Sequence, residues 1–201
     1  MFIRPARGGD HEALYDVCLR TGLSGQDAST LYDDRLLLGE VYVGPYLAVE
    51  PDLAFVLDDE GDVVGYVLGA RDTTAFERRC ELEWWPALRA RYPAPPPPGR
   101  PWTPDEHLHQ LIHHPPRTEP SVLAEHPAHL HIDLLPRAQG SGFGRRLLGH
   151  LIDRLRELSV RGVHLGVDAR NERAIDFYRH VGLHTLRQTE DALIMGMALT
   201  S

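Results

Sequence analysis

With 201 residues, 42% of them hydrophobic and 25% charged, the chain is long enough to close a core without disulfides or metals, and disordered, coiled-coil and collagen-like classes are excluded. A formal charge of −8 argues against nucleic acid and anionic membranes as partners, while leaving room for a local basic site for a phosphorylated ligand. Every basic residue is arginine, which excludes a lysine Schiff base; the absence of a signal-like or membrane-spanning run, with two cysteines of no close spacing, predicts a cytoplasmic protein with reduced thiols.

The order of elements reads as one domain over residues 1–201. Phe2 to Pro5 is a short apolar strand, Asp10 a helix cap for a helix to about Arg20, and Asp27 to Leu38 a second helix. Two β-rich runs, Asp52 to Leu57 and Val63 to Gly69, flank an acidic turn and predict a hairpin. A helix is expected from about Thr73 to Tyr92. The run Pro93 to Pro101 cannot continue it, because proline lacks the donor N–H, and reads as a stiff spacer. A short helix from Pro104 to His113 and a broken stretch to Pro127 complete a proline- and histidine-rich insertion at about 73–127.

The second half alternates regularly: strand His129 to Leu135, helix Gly142 to Ser159, strand Val163 to Val167, helix Asn171 to His180, and a strand pair from Leu183 to Arg187 and Leu193 to Leu199. Leu147, Leu148, Leu151, Ile152, Leu155 and Leu158 form one apolar stripe at helical spacing, which sets that helix against a sheet in an α/β architecture.

Between the strand ending at Leu134 and Leu135 and this helix lies Gln139-Gly140-Ser141-Gly142-Phe143-Gly144-Arg145-Arg146. Alternate glycines allow a tight turn that brings bare N–H groups toward an anion, and the helix N-terminus adds positive partial charge, a geometry suited to a pyrophosphate. Taken alone, the turn is compatible with a dinucleotide fold or a plain structural loop. The pattern is Gln-x-x-Gly-x-Gly rather than Gly-x-Gly-x-x-Gly, and no N-terminal βαβ unit frames it. Further on stands Asn171-x-x-Ala174-x-x-Phe177-Tyr178, followed by Gly182-Leu183.

With these paired motifs the chain resembles the GNAT family of N-acetyltransferases, Leu183 replacing the usual aromatic. The stretches Ala128 to Pro136 and Gly162 to Asp168 resemble, more narrowly, bacterial relatives of the acetyltransferase-like C-terminal domain of O-GlcNAc hydrolase, generally regarded as a pseudo-acetyltransferase. The resemblance implies a mixed, mostly antiparallel sheet of about six to seven strands, splayed centrally, with helices on both faces. It implies acetyl-CoA as cofactor, held by Leu134, Leu135, Gln139, Gly140, Ser141, Gly142, Phe143, Gly144, Arg145, Asn171, Ala174 and Tyr178. The partner is an amine acceptor, small molecule or peptide, and a homodimer is compatible with the family. A module that binds acetyl-CoA without turnover is the competing reading.

Direct transfer needs an acceptor for the amine proton and a donor for the departing thiolate. The resemblance puts Tyr178 at the thiol. His129, His131 and Asp133 alternate along one strand and share a face, so Asp133 is the first choice of base and His131 the second, against the alternative of buried polar groups satisfied by hydrogen bonds. Seven of the twelve histidines lie between His107 and His131, but their spacing fits no closed zinc site and no metal is expected. His107, His109, His113 and His114, with Trp84, Trp85 and Trp102, are expected along the acceptor side. Cys18 and Cys80 lie far from both motifs in sequence, which argues against a cysteine route.

Overall fold

The computed structural model describes residues 1–97 and 99–199, so Pro98 of the proline run falls outside the described residues, as do residues 200 and 201. Its centre is a seven-stranded sheet in the order β1-β2-β3-β4-β5-β7-β6, where β1 is Phe2–Pro5, β2 Ala54–Asp59, β3 Asp62–Ala70, β4 Ala128–Leu134, β5 Gly162–Asp168, β6 His184–Gln188 and β7 Ala192–Ala198. All neighbouring pairs are antiparallel except β4 and β5. The predicted mixed, mostly antiparallel sheet is therefore present.

Local chemistry explains the first half. The β2–β3 hairpin closes at Glu60 and Gly61, both at positive φ, with the Asp58 carboxylate accepting from Gly61 N–H at 2.8 Å. The same carboxylate accepts from Arg4 Nε at 2.8 Å, tying β1 to the hairpin. Asp10 does not use its side chain to cap α1 (His11–Leu19); it accepts from Arg4 and from Arg7 N–H instead.

Two helix expectations fail. Residues 27–36 are irregular, because Asp27 accepts from Ser29 N–H and Asp34 from Leu36 N–H, each at 2.8 Å, and Asp105 takes the N–H groups of Asp33 and Asp34. These bonds compete with the helical ladder and win. Helix begins only at α2 (Leu37–Tyr42), followed by α3 (Gly44–Val49). The single helix expected over 73–92 is two, α4 (Thr73–Glu83) and α5 (Trp85–Arg91), broken at Trp84 because Pro86 cannot donate in the next turn. Helix α6 (Pro104–His113) forms as expected, started by a capping box of Thr103 and Glu106, and is followed by the short α7 (Pro120–Leu123).

Helices cover both faces. Leu151 of α8 (Phe143–Glu157) sits where a Cβ on Gly69 would be, 2.6 Å away, so α8 lies over the face shared by Gly65, Gly69, Leu130 and Leu134. Tyr66, Leu68, His131 and Asp133 alternate with these and turn to the opposite face, where α1 packs. The remaining helix, α9, is Glu172–His180. No helix among the described residues is long and apolar enough to cross a membrane.

Leu151 is fully buried, and Gly69 has no side chain to fill the space it occupies. Leu151→Ala is therefore expected to lower the unfolding free energy by about 2–5 kcal/mol, read from urea denaturation.

Candidate functional site

The site begins with a break in the sheet. Strands β4 and β5 pair at only two positions, Ala128 with Val163 and His129 with His164, and then diverge. Leu135 N–H donates to Val64 O at 2.9 Å, so by antiparallel alternation the odd-numbered residues of β4 turn their backbone groups to β3. The even-numbered Leu130, Ile132 and Leu134 turn theirs to β5, which has already moved away. A row of backbone donors and acceptors thus lines a wedge. Both backbone groups of Leu135 are satisfied internally, its carbonyl by Ala138 N–H at 2.8 Å, and the Leu134 carbonyl is taken by Gln139 Nε2, so the backbone left facing the wedge is that of Ile132 and the N–H of Leu134.

At the wide end of the wedge stands the glycine loop. Gly140 and Gly142 adopt φ of 76° and 79°, and Gly142 is the N-cap residue of α8. A Cβ on either would meet nothing within 4 Å, so the loop presents bare backbone to open space. Gln139 points inward, donating from Nε2 to Leu134 O at 2.6 Å and so bracing the loop against β4. Ser141 and Arg145 are exposed, and the Arg146 guanidinium lies over the Phe143 ring at 5.1 Å. Gly144 lets Phe177 of α9 approach, its ring 3.3 Å from where a Cβ would be. Gly144 therefore serves helix packing, and the two earlier glycines serve the open loop.

Helix α9 is started by Asn171, whose Oδ1 accepts from Ala174 N–H at 3.1 Å. One turn beyond Ala174, Tyr178 is 9% exposed. Burial, reinforced by the negative charge of Asp133, pushes the phenol well above its ordinary value, so it is a neutral donor throughout the physiological range.

The opposite wall is a hydrogen-bonded triangle. Asp133 Oδ2 accepts from the Tyr66 hydroxyl at 2.7 Å and stands 3.0 Å from His131 Nε2, which also lies 3.0 Å from the Tyr66 oxygen. Two donors converge on one carboxylate oxygen, and this assigns the proton of His131 to Nε2. Burial works against the charged imidazole, but the charge and hydrogen bond of Asp133 outweigh it and lift His131 to about 10. The imidazole is stacked between Tyr42 and Tyr66, with ring centroids 5.9 and 5.6 Å away. His131 and Asp133 keep 29% and 21% of their side-chain surface accessible, so the triangle opens to the cleft.

His129 is different in kind. It is hydrogen-bonded to Thr73 Oγ1 at 2.8 Å, packed edge-on against Tyr46 and Phe76, and driven down to about 3 by burial and by the neighbouring His164 and His131. It is a neutral core histidine.

The structure thus gathers Asp133, His131 and Tyr178 around one cleft and sets the loop from Gln139 to Arg145 at its end. It does not bring the insertion's aromatic side chains to the triangle. Trp84 donates to Glu40 O, Trp102 donates to Pro96 O and packs on His107, and His113 and His109 engage Tyr92. Two residues of the site escaped sequence reading. Tyr66 is opposite Asp133 in the β3–β4 register, so hairpin register was the signal that could have found it. Cys18, far from both motifs in sequence, comes instead to the β4 pair: a ligand atom from each of Cys18, His131 and Asp133 lies within 4.8 Å of the other two. Cys80 is buried and pushed up to about 12 by burial, with no part in the cleft.

Tyr66→Phe removes a donor to a charged, partly buried acceptor. It is expected to cost about 1.5–3 kcal/mol of unfolding free energy, read as a lower urea midpoint with an unchanged slope.

Comparison with known proteins agrees with this geometry. Residues 26–183 match the model of the acetyltransferase (GNAT) family. Protein O-GlcNAcase of Rattus norvegicus is 25% identical over 211 residues, covering 98% of this chain, and that of Mus musculus matches to the same extent. The chain spans only 22% of the length of these curated relatives. The crystal structure of SsHAT superposes with a TM-score of 0.92 at 40% identity, over 100% of this chain and 98% of that one. The structure of yncA, a putative acetyltransferase from Salmonella typhimurium with its cofactor acetyl-CoA, shares the fold with a TM-score of 0.60 at 16% identity, over 100% and 95% of the two chains. A match to the family model across most of the sequence, on a sheet that opens between β4 and β5, means that the chain belongs to the acetyltransferase (GNAT) family.

Proposed function

We propose that the protein is an N-acetyltransferase that moves an acetyl group from acetyl-CoA to an amine by direct attack in a ternary complex. The observation that carries the reading is the unpaired β4 edge, bounded by a bare glycine loop on one side and by Tyr178 and Asp133 on the other. The residues fit the cofactor. Gly140 and Gly142 leave open the space an anion needs beside the N-terminus of a 15-residue helix, and exposed Arg145 and Arg146 sit in its first turn. The backbone of Ile132 and the N–H of Leu134 suit the amides of an extended pantetheine arm, with Asn171 and Ala174 opening the facing helix. Bound there, acetyl-CoA supplies an activated thioester.

The chain's own groups supply the proton transfers. Asp133 takes the amine proton, because His131 already holds one on Nε2 and serves as the carboxylate's fixed cationic partner. Tyr178, kept neutral by burial, donates to the departing sulfur. Backbone N–H on the β4 edge is pre-aligned to stabilise charge developing on the carbonyl oxygen. Two buried, unpaired cysteines suit a reducing cytoplasm. A carboxylate at the acceptor end suits an amine, carried by a small molecule or a peptide.

Calorimetry with acetyl-CoA tests the first half, with micromolar binding expected. Thiol release across polyamines, peptide N-termini and aminoglycosides tests the second. Absence of binding would sink the reading entirely, and binding without release from any amine would leave a cofactor-binding module.

A further inference from the structure

We propose that Cys18, His131 and Asp133 form a site for a thiophilic divalent cation of the zinc class at the acceptor end of the cleft. Cys18 is far in sequence from His131 and Asp133, and it reaches them because α1 packs on the face of the sheet that β3 and β4 share. Their ligand atoms, one sulfur, one imidazole nitrogen and one carboxylate oxygen, all lie within 4.8 Å of one another. A tetrahedral zinc ion with bonds of about 2.0–2.3 Å sets its ligands roughly 3.3–3.6 Å apart, so the 3.0 Å His131–Asp133 edge is already close and the sulfur needs only a shift of about 1 Å.

The thiol has little else to do. Cys18 is 2% exposed, its contact to Leu38 O is 4.0 Å long, and its other polar neighbours are His131 and Tyr66 of the triangle. Cys18 belongs to the hydrophobic core, yet its sulfur also lies within 4.8 Å of an imidazole nitrogen and a carboxylate oxygen. The imidazole is held in its plane by the rings of Tyr42 and Tyr66, and the Tyr66 hydroxyl, bonded to Asp133 Oδ2 and 3.0 Å from His131 Nε2, fixes the two side chains against each other. One sulfur, one nitrogen and one oxygen favour zinc over magnesium or calcium. Three protein ligands leave a fourth position open toward the cleft, where His131 and Asp133 are partly accessible.

The consequence rests on the proposed function. A cation bound here occupies Asp133, the group assigned to the amine proton, so it inhibits transfer while leaving the cofactor loop untouched. The binding itself is testable without turnover. Untagged, chelator-treated protein is titrated with cobalt(II) and read by its thiolate-to-cobalt charge-transfer absorption, with zinc(II) as competitor. Wild type and Cys80→Ala are expected to develop the band at one equivalent. Cys18→Ala is expected to lose it and to bind zinc at least about 100-fold more weakly, with an unchanged circular dichroism spectrum. Acetyl-CoA calorimetry on the metal-free protein runs in parallel, so failure of the cofactor reading is seen separately. No band in wild type at millimolar cobalt, or a band that persists in Cys18→Ala, would overturn the site.

Discussion

Tyr178→Phe is expected to slow acetyl transfer by about 10²–10⁴-fold, the range for loss of a positioned general acid, while acetyl-CoA affinity changes by less than about threefold. The asymmetry follows from the environment of the ring. Tyr178 is buried in the core cluster beside Phe177, with ring centroids 5.4 Å apart, and phenylalanine fills the same volume. What the variant lacks is the hydroxyl, kept protonated by burial and by Asp133. A neutral phenol has one proton to give to a leaving sulfur and no charge to contribute to ground-state binding. Single-turnover thiol release and calorimetry on the same preparation separate the two effects. Equal losses in both would reassign the tyrosine to packing.

Asp133→Asn carries the second large effect, also about 10²–10⁴-fold on turnover, because the amide keeps the shape but accepts no proton. It has a spectroscopic signature besides. Asp133 is what holds His131 at about 10 against the opposing effect of burial. With the carboxylate gone, burial remains, and the imidazole is expected to titrate below its ordinary value of 6.5 in a chelator-treated sample followed by NMR. The stability consequence has a definite sign. A histidine whose folded value is raised contributes stability that is fully present below 6.5 and is lost as pH rises toward 10. Wild type should therefore lose stability across that interval, and Asp133→Asn should not. A His131 resonance still titrating near 10 in the variant would remove Asp133 as its cause.

How much of this was legible beforehand depends on how far apart the interacting residues lie. The glycine loop and the start of α9 were legible because their determinants are local: Gly140, Gly142 and Asn171 satisfy their own turns and caps within a few residues. The apolar stripe of α8 fixed its packing on the sheet for the same reason, one face repeating every turn. The segment Asp27 to Leu38 was misread because its periodicity suits a helix, whereas its aspartates bond neighbouring backbone and a distant Asp105 takes two N–H groups more. Only the last of these is a long-range effect.

The sequence by itself determined the family, the glycine loop, the strand that carries Asp133 and the helix that carries Tyr178, since each is a pattern of near neighbours. Tertiary structure alone decided what those residues face. The register of β3 on β4 set Tyr66 against Asp133, the divergence of β4 from β5 left Ile132 and Leu134 without a strand partner on that side, and the packing of α1 brought Cys18 to His131. The physical reason is that strand register and helix docking are fixed by burial summed over many side chains, so no single residue announces them.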